Sequence, residues 1–253
     1  MVESLHAKAN EGPCLARYLT AQERLADISI EFSAAGVFRP WFPASWFDSQ
    51  DHQFKVMWCG SATRGWYNSG EIHSTEGYLS GNRGEIARSA FWRPMRRVGG
   101  HLDRAKELES ASEAMIYDPS IKYARDHQPN SVVWNNLFRV GDLNGEPSKR
   151  LAESQLDKCI ECLRIEIEAS QPDVVMFHVG QLSAKFTKNY FGKHGDQAED
   201  LHSRAGGTVG RYPHSPVPGV PHFWMTRKPR KDDEIVRDAL AAITTAKAMM
   251  ADS

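Results

Sequence analysis

Between Ser154 and Gly180 an amphipathic helix stops at a proline and passes directly into a short apolar segment, a succession few folds accommodate. Leu156, Ile160, Leu163 and Ile167 recur at three- and four-residue steps, which lays one apolar stripe along a helix over 154–169. Pro172 ends it, and Asp173-Val-Val-Met-Phe-His-Val-Gly180 follows. An apolar strand after an amphipathic helix is the signature of a βαβ unit, in which both faces of a parallel sheet are covered. The expected fold class is α/β.

Three more segments repeat the design of a strand running into a polar loop. Phe54-Lys-Val-Met-Trp-Cys59 is rich in β-branched and aromatic residues and breaks into Gly60, Ser61, Ala62, Thr63, Arg64, Gly65 and Trp66. Ligands of open α/β sheets sit beyond the carboxyl ends of parallel strands. Gly60 permits close backbone approach, and Ser61, Thr63 and Arg64 supply hydroxyls and a planar cation. Ser131-Val-Val-Trp134 is a second strand, expected to end at Asn135 and Asn136. Asparagine is depleted in strand interiors, and a buried amide needs partners, from the neighbouring loop or from a polar ligand. Phe223-Trp-Met-Thr226 is a further strand, ending in the one dense basic cluster, Arg227, Lys228, Arg230 and Lys231. Such a cluster is either a solvated charge run or a phosphate grip.

The rest of the chain reads as follows. Residues 1–14 are a frayed terminus. Thr20-Ala-Gln-Glu23 fits a capping box within a helix over 15–33. Phe38 to Phe47 is aromatic, broken by Pro40 and Pro43, and expected to pack on the core. A long polar loop after Trp66 offers Tyr67, Asn68, His73 and Tyr78 to a ligand. Helices are expected over 85–97, disturbed by Pro94, and over 101–115, beyond the Gly99-Gly100 break. Residues 192–221 read as loose chain, and 232–250 as a closing helix with Asp232 and Asp233 favourable to its dipole.

At 253 residues, 41% of them hydrophobic, the chain is long enough for one domain over 1–253 with a substantial core. Its net charge of -1 creates no global basic field, so a nucleic-acid contact requires a local patch. No stretch approaches the roughly 20 apolar residues of a membrane span, and Met1-Val-Glu-Ser-Leu-His6 lacks a secretory pattern. The expectations are a cytoplasmic monomer with no membrane partner. Of four cysteines, Cys159 and Cys162 lie in the helical pattern with no second pair to complete a zinc site. They read as helix-face residues, and Cys14 and Cys59 as reduced thiols.

Taken in order, the four strand-and-loop segments resemble the uracil-DNA glycosylase superfamily, in particular its less characterised bacterial branch. Gly60-Ser-Ala-Thr-Arg-Gly-Trp66 is similar to that branch's Gly-Gln-Glu-Thr-Asn-Gly-Trp. Val132-Val-Trp-Asn135 matches the hydrophobic strand that ends in a base-reading asparagine, and Pro172 to Gly180 fits the third motif. The last motif, a His-Pro loop, is best matched by Lys228-Pro229, with His222 upstream. Two departures stand out: Ala62 occupies the position where the family often carries an acid, and lysine replaces the imidazole.

The resemblance implies a three-layer sandwich around a four-stranded parallel sheet. It also implies hydrolysis of the N-glycosidic bond of a damaged or deaminated base extruded from single- or double-stranded DNA. Ser61, Thr63 and Lys228 would then be catalytic, with Gly60, Trp66, Tyr78 and Asn135 against the base. Arg64, Arg227 and Arg230 would lie on the phosphates, and no metal or organic cofactor would be needed. Two other readings remain open: a non-catalytic nucleic-acid or nucleotide-binding member of the fold, and a hydrolase with Ser61 as nucleophile and His178 or His222 as base.

Overall fold

The computed structural model describes residues 13–43, 46, 54–62, 68–73, 92–107, 117–118, 131–143, 145–179, 183–192, 199–204, 207–226 and 231–251. Five helices are found among them: α1 (Pro13–Glu31), α2 (Trp92–Glu107), α3 (Lys149–Ser170), α4 (Ser183–Phe191) and α5 (Asp232–Ala251). The strands are β1 (Val37–Phe38), β2 (Val56–Ala62), β3 (Ile72–His73), β4 (Val132–Phe138), β5 (Val174–Val179), β6 (Glu199–Arg204), β7 (Gly207–Tyr212) and β8 (His222–Thr226).

The main sheet has six strands in the order β4-β2-β5-β8-β7-β6, and β1 pairs with β3 separately. The four strands expected from the sequence, β4, β2, β5 and β8, form one contiguous parallel block. The expected total of four is too small, because β7 and β6 extend that block antiparallel. These two strands arise from a stretch that reads as loose chain; Glu199-Asp-Leu-His-Ser-Arg204 is an edge strand with one apolar residue, so it carries no apolar signal.

Strand alternation divides the interior into two cores. Met57, Cys59, Val133, Val175 and Phe177 face α1, α3 and α4, meeting Leu25, Leu163, Phe186 and Tyr190. Val56, Trp58, Val132, Trp134, Val174 and Met176 face α2 and α5, meeting Trp92, Met95, Val236 and Leu240. The result is three layers, helices over each face of a mostly parallel sheet.

Several expectations shift. β4 continues to Phe138, so Asn135 and Asn136 lie inside the strand and not at its end. Thr20 is inside α1, which begins at Pro13, so it caps nothing. α2 runs unbroken through Gly99-Gly100, and Pro94 sits in its first turn, where the missing N–H has no intrahelical partner to lose. Residues 85–91 lie outside the described residues. α3 is capped by Ser148, whose hydroxyl accepts from the Leu151 amide, and ends at Gln171 in a left-handed conformation (φ 44°) just before Pro172.

The aromatic segment packs as expected: Phe38, Trp41, Phe42 and Trp46 are all buried. It also shields the outer edge of β4. The Trp41 amide donates to the Trp134 carbonyl at 2.9 Å, that of Trp134 returns to Trp41 at 3.1 Å, and the Phe38 amide donates to the Arg139 carbonyl at 2.8 Å. An otherwise open row of backbone groups is thereby closed. No helix among the described residues is long and apolar enough to cross a membrane.

Candidate active site at the carboxyl edge of the sheet

The connection out of β2 reaches β4 on one side, and the connection out of β4 returns past β2 to β5 on the other. α2 covers one face and α3 the opposite face. The chain therefore parts between the carboxyl ends of β2 and β5, the switch point at which open α/β sheets form their ligand crevices.

Gly60 stands at that point. It is in register with Asn136 on β4, and it lies one step past the Cys59–Phe177 pair on β5, beside His178. By alternation Gly60, Asn136 and His178 share the face of Trp58, Trp134 and Met176. With strands about 4.8 Å apart, the Asn136 and His178 backbones are separated by roughly 10 Å, and the residue between them has no side chain. The Trp58 ring leans toward this gap and meets the His178 ring edge-on at 5.5 Å. Trp58 Nε1 and Asn136 Nδ2 are both buried donors without a hydrogen-bond acceptor. Leaving such a group unpaired costs about 1–3 kcal/mol.

Asn135 points the other way. Its Nδ2 donates to Glu166 at 2.8 Å and lies 3.6 Å from the Met57 sulfur, while its Oδ1 accepts the Asn136 amide at 2.7 Å. Glu166, fully buried on α3, also accepts from the Tyr18 hydroxyl at 2.8 Å and pairs with the buried Arg139 guanidinium. Burial alone would lower the pKa of Arg139, and the Glu166 charge more than reverses this, so the guanidinium is held charged. The Tyr18 hydroxyl is pushed well up, first by burial and then by the Glu166 charge. Asn135 thus belongs to an internal network whose donors converge on one carboxylate.

Ser61 is buried near the end of β2, on the side of Met57 and Cys59 by alternation. His178 touches Trp58 on the opposite side. His222 begins β8 level with Val175, about 13 Å along the strands from the Ser61 level at the usual rise. Its Nδ1–H donates to the Val220 carbonyl at 2.8 Å and its Nε2 accepts from the Tyr190 hydroxyl at 3.0 Å. His222 thus lies far along the sheet from Ser61, and the His178 ring packs against Trp58 on the other face. Thr63, Arg64, Trp66, Tyr78, Arg227, Lys228 and Arg230 lie outside the described residues.

Cys59, Cys159 and Cys162 are buried. Burial raises all three thiols, that of Cys159 to about 12, which leaves them protonated at neutral pH. Among the described residues, no group of three or more His, Cys, Asp or Glu side chains could hold a metal ion.

Sequence reasoning ended the strand at Trp134, four residues before Phe138, and the resemblance put Asn135 in the reader position. Extending the period-two pattern through Leu137 places Val132, Trp134 and Asn136 on one face, and that signal was present. The pairing of Arg139 with Glu166 carried none. No protein-family model matches this sequence, and no curated protein matches it.

Proposed function

We propose that this chain is a DNA base-excision glycosylase-like protein that hydrolyses the N-glycosidic bond of an extruded, deaminated base. The observation that carries the reading is topological. The four segments resembling the superfamily's motifs are four adjacent parallel strands. Gly60, Asn136 and His178 come together at the switch point among them. β2 and β8 run parallel and so end at the same edge of the sheet, and in the sequence Thr63, Arg64 and Trp66 follow the first and Arg227, Lys228 and Arg230 the second. In this reading an extruded base enters between the carboxyl ends of β2 and β5, and the basic residues after β8 hold the flanking phosphates.

Thr63 and the backbone at Ser61 would hold the attacking water or a base oxygen, Trp66 or Tyr78 would stack on the base, and Lys228 would offset charge on the departing base. A second reading, binding without base release, is favoured by Ala62. This residue lies in register with Phe138 and packs on the apolar core, and its methyl group can orient no water.

The deciding experiment is base release from single- and double-stranded oligonucleotides carrying uracil, hypoxanthine or xanthine. Release that is lost when Lys228 becomes alanine supports the enzyme. Salt-sensitive binding of the same oligonucleotides without release supports the binding module. Neither release nor binding removes both.

A further inference from the structure

We infer that His101 is an acid-sensitive clasp: its ring, carrying one proton, holds the chain at Tyr117 and Asp118 onto α2, and a second proton releases that chain while the sheet stays folded. Between Glu107 and Ser131, in the connection from α2 to β4, the described residues are Tyr117 and Asp118. Both are fastened to helices. The Arg97 guanidinium donates to the Tyr117 hydroxyl at 2.8 Å, and Arg104 pairs with the Asp118 carboxylate at 2.9 Å. The Arg237 guanidinium, from α5, lies 4.5 Å from the centre of the Tyr117 ring. The His101 ring stacks on the same tyrosine, with centres 5.8 Å apart and planes within 15°.

One contact fixes the protonation state of the imidazole. His101 Nε2 lies 3.1 Å from the Asp118 backbone amide. An amide N–H only donates, so Nε2 accepts and carries no proton. Nδ1, 2.7 Å from the Arg97 carbonyl oxygen, then holds the single proton and donates it. A second proton can enter only at Nε2, where it would set N–H against N–H. The Asp118 contact and the charged ring therefore exclude each other.

The charged groups around the ring do not undo this. On α2, Arg97 repels a charged imidazole, and Asp103 is engaged by the Ser131 hydroxyl at 2.8 Å. The Asp118 carboxylate attracts it but is held by Arg104. On α5, Asp233 is paired with Arg97, and Arg237 adds a further positive charge. Burial first, and the Arg97 charge after it, lower the His101 pKa below the ordinary value, against the opposing pull of the Arg97 carbonyl and of Asp118. The clasp is closed at neutral pH and opens as pH falls through the folded-state midpoint.

The test is amide hydrogen exchange followed by NMR in wild type and His101→Gln, at pH values on either side of the midpoint of the His101 ring titration. Glutamine can accept the Asp118 amide through Oε1 but does not titrate. The Trp134 amide, hydrogen-bonded to the Trp41 carbonyl, reports opening of the sheet. Below the midpoint, wild type should lose about tenfold or more of its protection at the Asp118 amide, corrected for the intrinsic rate, with Trp134 unchanged. The glutamine variant should keep its Asp118 protection over the same range.

Unchanged protection at Asp118 through the ring titration overturns the inference, and so does an equal loss in the glutamine variant. Simultaneous loss at Asp118 and Trp134 also overturns it, because the opening is then global. If the variant fails to fold, the ring nitrogen shifts of wild type decide. A proton on Nε2 at neutral pH, or a ring that stays neutral until the protein unfolds, overturns the clasp; a proton on Nδ1 alone, with a second arriving before unfolding, upholds it.

Discussion

Arg139, immediately after β4, and Glu166, on α3, form an ion pair in which both side chains are 0% exposed. The carboxylate takes two further donors, Tyr18 and Asn135, while Nε and Nη1 of the guanidinium have no hydrogen-bond partner. A buried pair of this kind adds little net stability over an apolar replacement, but removing one partner strands the other. Glu166→Gln is therefore expected to destabilise the protein by about 3–5 kcal/mol. The double variant Arg139→Met/Glu166→Leu should cost less than Glu166→Gln alone. Urea unfolding followed by circular dichroism would check this, and a double variant worse than the single would contradict it.

Gln155 pins the chain just beyond β4. Its Oε1 accepts the backbone amides of Arg139 and Val140 at 3.0 and 2.9 Å, and its Nε2 donates to the Val140 carbonyl at 2.8 Å. Leucine is close in size but would leave these buried backbone groups unpaired. Gln155→Leu should cost about 2–4 kcal/mol, since each unsatisfied group costs about 1–3 kcal/mol. Hydrogen exchange should show faster exchange at the Arg139 and Val140 amides; unchanged protection there would refute the pinning role.

His222 predicts an acid limb in stability. Burial depresses its pKa to about 4, and only the Val220 carbonyl opposes the shift. In the unfolded chain the imidazole takes up a proton as pH falls through about 6.5, while in the folded protein it stays neutral until about pH 4. The unfolded state binds more protons across that window, so stability is fully present above about 6.5 and declines toward 4, by about 3 kcal/mol. Denaturant midpoints at pH 7, 6 and 5 should fall in that order. His222→Gln should flatten the slope, and an equal slope in the variant would assign the effect elsewhere.

Gly210 carries the Trp224 indole across the β7–β8 ladder, where the two residues are in register. A Cβ at position 210 would overlap the indole Nε1 and Cε2. Gly210→Ala should displace the ring and destabilise the protein by about 1–3 kcal/mol, the usual cost of overpacking. A thermal melt would measure the loss, and a variant as stable as the parent would show that the indole relocates without cost.

Much of the framework was legible in the residues, because apolar periodicity reports local burial. The stripe Leu156, Ile160, Leu163, Ile167 and the run Val174–Val179 declare helix and buried strand wherever they are placed, and the order of the parallel block's strands along the chain follows from them. The β6–β7 hairpin was not legible, since Glu199–Arg204 gains its strand conformation from backbone pairing with β7 and not from its side chains. Which asparagine is tied into the core network was not decided locally either. The sequence determined that two amides lie side by side on a strand near the candidate site. Only the tertiary structure brought Glu166 beneath Asn135 and Gly60 beside Asn136. A side chain's availability depends on the partners that distant segments deliver to it, and sequence spacing does not record them.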